Sequence, residues 1–84
     1  MTIVATLSDG NTATIERDHR GFRIISSSYS WINPPEGKAF YLDGSCLQGG
    51  KIAVWEYSAD DTGHPVGRGV LVTSGRTIAN HRSV

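Results

Sequence analysis

The stretch Gly49-Gly50-Lys51-Ile52-Ala53-Val54-Trp55-Glu56-Tyr57 is the longest apolar run in the chain and decides how the rest is read. Alternation sets Ile52, Val54 and Glu56 on one face and Ala53, Trp55 and Tyr57 on the other. Both faces begin apolar, which predicts a central strand with neighbours on each side and material above and below. Glu56 marks the rim of the first face. Trp55 and Tyr57 read first as core, because aromatic side chains dominate the interiors of small domains, and the functional alternative has one of them surfacing as a contact anchor.

Working outward, Ile3–Leu7 and Thr12–Arg17 read as two strands joined by Ser8-Asp9-Gly10-Asn11. Asp-Gly between β-branched runs is a strong hairpin signal, since glycine enters positive φ without steric cost. Ala13 and Ile15 are expected to face inward. A second turn at Asp18-His19-Arg20-Gly21 returns the chain through Phe22–Tyr29, where the serine run at 26–28 suggests a bulge or bend. Ile32-Asn33-Pro34-Pro35-Glu36-Gly37 is a crossing loop, because two prolines remove two donors and hold Asn33 extended.

Lys38–Leu42 follows as a strand with Phe40 and Leu42 opposed to Ala39 and Tyr41. Asp43-Gly44 repeats the hairpin signal. Ser58–Gly69 reads as a long polar loop, a type more often functional than idle. A last hairpin is expected from Val70–Thr73, a turn at Ser74-Gly75, and Arg76–Ala79. Asn80–Val84 reads as a fraying polar tail.

These segments predict one all-β domain over residues 1–84, a small antiparallel barrel or sandwich of six to seven short strands. An SH3-like or otherwise irregular barrel suits this size. The alternative is an α+β arrangement with one short helix in 26–32 or at the C-terminus, opposed by four serines of poor helical propensity.

Composition limits the function. With 84 residues and net charge zero, bulk attraction to nucleic acid or an anionic membrane is not expected. The lone Cys46 excludes an internal disulfide and fits a reducing cytoplasm. Met1–Leu7 lacks the basic start of a signal peptide, and no apolar run is long enough to cross a bilayer. A soluble, cytoplasmic protein is expected.

Catalytic chemistry finds little support. Cys46 with His64 or His81 would make a nucleophile and base, but nothing in the spacing joins them. Asp60 and Asp61 are adjacent, so they do not converge as an acid–base pair. Asp60, Asp61 and His64 lack the ligand spacing of a calcium loop, so neither a metal nor another cofactor is expected. Gly63, Gly67 and Gly69 lack the lysine and helix of a phosphate cradle.

The chain therefore reads as a non-enzymatic protein-binding module, an inhibitor, adaptor or assembly subunit. A phage-type inhibitor of a host or defence enzyme is an analogy resting on size alone. Six arginines against two lysines, together with Trp and Tyr, favour protein contact. Trp31, Tyr41, Tyr57, Asp60, Asp61, His64 and Arg76 are the expected partner-binding residues. A homodimer through an unpaired edge strand is a related possibility. Single-stranded nucleic acid is the alternative partner, because small barrels bind it with aromatics set among arginines. The zero net charge weighs against it.

Overall fold

A computed structural model describes residues 1–72 and 76–84 in full, and side chains at 73–75 lie outside the described residues. The chain is a closed antiparallel barrel in which each strand pairs with the next. The strands are β1 (Thr2–Leu7), β2 (Thr12–Asp18), β3 (Gly21–Ser27), β4 (Lys38–Leu42), β5 (Lys51–Ala59) and β6 (Pro65–Ser83). Two short 3-10 turns, Ser30–Ile32 and Gly44–Gln48, complete the described elements. No helix among the described residues is long and apolar enough to cross a membrane.

The meander forms where local chemistry demands it. Gly10 has φ 89°, while the Asp9 carboxylate accepts from the Asn11 amide at 3.0 Å and fixes the first turn. Gly21, at φ 132°, closes the second against Asp18. Ile15 pairs with Ile24 and Thr14 with Ser26, leaving Ile25 as an extra residue, so the expected bulge lies at the head of the serine run.

The inward positions form one cluster that includes Ile3, Leu7, Ile15, Ile24, Phe40, Leu42, Ile52 and Val54. Ala13 and Ile15 face inward as the alternation requires. Phe22, Trp31 and Leu47 pack against the cluster's margin. Among the described residues β3 and β4 pair at Phe22–Leu42 and Arg23–Tyr41, and the buried Ile32 of the first 3-10 turn joins the core cluster.

Several expectations change. The loop expected over 58–69 shrinks to residues 60–64, because β5 runs to Ala59 and β6 begins at Pro65. The expected last hairpin is not formed. Its turn at Ser74-Gly75 falls outside the described residues, but the flanking segments pair with β5 and β1, not with each other. The polar tail is the closing strand: Asn80, His81, Arg82 and Ser83 pair with Thr6, Ala5, Val4 and Ile3. Backbone pairing satisfies the outer edge of β1 there, a need that no side-chain pattern reports. Asp43-Gly44 makes no hairpin; the Asp43 carboxylate accepts from the Ser45 amide at 3.0 Å and caps the second 3-10 turn.

Candidate functional site

The outer face changes character around the barrel. Direct pairing aligns Thr2, Glu16, Arg23, Tyr41, Trp55 and Leu71 in one row across all six strands. Opposite residues in such a row lie on the same side of the sheet. On β1–β3 the row is polar, with Thr2 Oγ1 donating to Glu16 at 2.7 Å. On β4–β6 it is aromatic and aliphatic.

Trp55 does not join the core; it is 41% exposed, and its cross-strand partner Leu71 is 50% exposed. Val66 and Val70 on the same hairpin are also exposed, whereas the other exposed large apolar side chains among the described residues are Met1, Ile25 and Val84. Tyr41 is buried although it lies on the outer side. Its ring meets Tyr57 edge-on at 5.9 Å and 83°, and its hydroxyl donates to Asp18 at 2.9 Å. Burial first, and then the Asp18 carboxylate, push the Tyr41 phenol up to about 12. Burial works against the Asp18 charge, yet the Arg20 amide and the Tyr41 hydroxyl outweigh it and hold that carboxyl below its ordinary value.

β5 and β6 carry a break in register between Glu56 and Ser58, which sets Gly67-Arg68-Gly69 opposite Tyr57. Gly69 has a specific reason to be glycine, since a Cβ there would stand 2.6 Å from the Tyr57 ring. The hairpin is tied toward the β2–β3 turn by Arg20, whose Nη1 donates to the Pro65 carbonyl at 2.9 Å. Arg23 Nη1 approaches the Gly63 carbonyl at 3.5 Å.

Beside the Arg20–Pro65 tie lies an open cleft of about 620 Å³, walled by Phe22, Tyr41, Trp55 and Tyr57 and edged by Arg20 and Asp43. A cleft of this size with apolar walls and a few polar groups is the usual form of a recognition site.

The expected site residues fall into three places. Tyr41 and Tyr57 meet in the cleft. Asp60, Asp61 and His64 lie in the β5–β6 loop, where Asp60 Oδ1 accepts from the Thr62 amide at 2.9 Å, the Thr62 hydroxyl at 2.7 Å and the His64 amide at 3.0 Å. The Thr62 hydroxyl and the His64 amide lower the Asp60 pKa, so this carboxylate organises the loop. Asp61 lines a separate hollow with Glu36 and Lys38.

Trp31 and Arg76 belong to a third place. Tyr29 stacks on Trp31 at 6.2 Å and 18°, while Arg76 Nη1 donates to the Tyr29 hydroxyl at 2.7 Å and its Nε to Asp9. Asp60 and Arg76 are thus used in holding the fold's own segments together, while Asp61 faces the separate hollow. Trp55, Leu71, Arg20 and Phe22 were missing from the expected set. The alternation that joins Trp55 to Tyr57 is the available signal: of the two, Trp55 is the one that surfaces, at 41% exposure, against the first expectation of burial.

Cys46 is buried, with its sulfur 3.5 Å from the Lys51 carbonyl and 3.8 Å from that of Ala53. Among the described residues no group of three His, Cys, Asp or Glu side chains is placed to hold a metal ion. No family model matches this chain, and neither a curated protein nor a solved structure proved similar to it.

Proposed function

We propose that this chain is a non-enzymatic protein-binding module, cytoplasmic in location, which covers part of a partner through the outer face of β4–β6. Inhibitor, adaptor and assembly subunit, the phage-type inhibitor included, are the roles such a module fills. The observation that carries the reading is the exposed cross-strand pair Trp55–Leu71 beside the aromatic cleft. A Trp at the centre of an interface typically loses about 2 kcal/mol or more of binding when truncated. Single-stranded nucleic acid remains second, because the cleft edge sets Asp43 against Arg20 and the chain carries no net charge. A homodimer would use the same hairpin, where β6 pairs only with β5 over residues 65–72 among the described residues.

The test places a photo-crosslinking amino acid at Leu71 and, as control, at Thr14 on β2. The Leu71 probe should give one discrete protein adduct in the source cell and the Thr14 probe none. Adducts to nucleic acid, or equal adducts from both positions, would overturn the assignment.

A further inference from the structure

We propose that the free flank of β6 pairs with the same flank of a second copy of this chain, the two related by a two-fold axis at Leu71. This deepens the protein-binding reading by naming the partner, and it rests on that reading. The topology leaves one edge open. β5 lies along one flank of β6 from Pro65 to Thr77, whereas among the described residues β1 reaches the other flank only at Ile78. Exposed edges in folded proteins are usually blunted by charge or proline. Gly69-Val70-Leu71-Val72 carries neither, and Val70 and Leu71 are 64% and 50% exposed. An apolar, β-branched edge of this kind is a template for another strand.

Composition and register select a second copy as that strand. A charged edge would specify a strand of opposite sign, but this uncharged apolar run is matched by its like. Identical antiparallel strands pair about a two-fold that passes through a residue. The reason is that directly opposed residues turn their backbone groups both toward each other or both away. β6 keeps regular register with β5 from Val70 to Thr73, with breaks on either side. The two-fold therefore falls at Leu71 or Val72. Val72 packs against the core and Leu71 is exposed, so Leu71 takes it. Val70 then faces Val72 of the second copy on one side of the sheet, and Leu71 meets Leu71 on the other. No like charges are opposed. The outer row Tyr41–Trp55–Leu71 continues into Leu71, Trp55 and Tyr41 of the second copy. The join runs edge to edge, so the outer face stays open at Trp55. So short a ladder makes a weak, concentration-dependent dimer.

The experiment is sedimentation of the whole purified chain from about 20 μM to about 1 mM, where a monomer–dimer equilibrium is expected. Leu71→Lys sets two ammonium groups against each other at the two-fold and should weaken the dimer by about tenfold or more. Thr14→Lys on β2 should leave it unchanged. Cross-linking reads the register independently of that variant. Leu71→Cys should oxidise to an intermolecular disulfide, since directly opposed Cα atoms lie about 4.5–5.5 Å apart, within bridging reach. Val70→Cys lies two residues off its counterpart and should not link. Cys46 is buried and takes no part. A chain that stays monomeric at about 1 mM would overturn the proposal. So would a dimer indifferent to Leu71→Lys, or equal cross-linking at 70 and 71. The photo-adduct from Leu71 should have twice the mass of the chain. An adduct to a different protein, with the purified chain monomeric, removes the second copy while leaving the protein-binding reading in place; failure of any adduct removes that reading itself.

Discussion

Two aromatic clusters of similar composition meet different fates in this barrel. Tyr29 and Trp31 stack under Arg76, whose guanidinium carbon lies 4.1 Å from the Tyr29 ring centre while its nitrogens reach Asp9 and the Tyr29 hydroxyl. Tyr41, Trp55 and Tyr57 gather near Arg20; Tyr41 meets the Tyr57 ring and Asp18, and the Arg20 guanidinium reaches the Pro65 carbonyl, yet Trp55 stays 41% exposed. The first cluster closes on itself and joins distant parts of the chain. The second leaves the Trp55 ring and its cross-strand partner Leu71 to the outside. Residue type does not separate the two; the supply of internal partners does.

Unequal costs of truncation are the clearest way to break this comparison. Trp31→Ala should destabilise the protein by about 3 kcal/mol, since it removes a ring packed against the core. For a domain of this size that lowers Tm by about 12–24 °C in a thermal melt. Equal losses for Trp31→Ala and Trp55→Ala would erase the distinction. Gly69→Ala comes next, costing about 1–3 kcal/mol by driving a methyl into the Tyr57 ring, and it should also change the Trp55 signal in the proton–nitrogen spectrum.

Tyr41→Phe should cost about 1 kcal/mol through loss of the hydroxyl–Asp18 bond. Because the folded phenol lies near 12 and the reference phenol at 10.0, the stability tied to Tyr41 is full below pH 10.0 and is lost as pH rises toward 12. An ultraviolet titration should show one phenol ionising near pH 12, and that step should vanish in Tyr41→Phe. On the acid side, Asp9, Glu16, Asp18 and Asp60 are all lowered, so their contribution is full above about pH 4.5 and falls as pH drops through the folded values. Asp9→Asn should flatten that acid limb, read by denaturant melts at several pH values. The smallest effect is expected from Trp55→Ala, within about 1 kcal/mol of stability, because its exposed ring holds little of the fold together.

Where side chains alternate, the sequence was legible. The Asp9-Gly10 turn, the inward Ala13 and Ile15, and the span Lys38–Leu42 with Phe40 and Leu42 inside all follow from pattern and turn chemistry. Where pairing depends on backbone alone, it was not. Pro65–Gly69 is rich in glycine and polar groups, yet it pairs with β5 through a bulge. Asn80–Ser83 is polar, yet it closes the barrel on β1. Neither segment has an apolar face to announce a strand. The candidate site was half visible for a related reason: alternation grouped Trp55 with Tyr57, but only the cross-strand register with Leu71 shows that this face is open at Trp55 and covered at Tyr41.

The most direct check is solvent paramagnetic relaxation of the two indole N–H signals in the isolated protein. The Trp55 signal should broaden strongly with a soluble gadolinium chelate while the Trp31 signal is largely spared. Equal protection of both, or a more accessible Trp31, would contradict an aromatic contact face built outside the barrel.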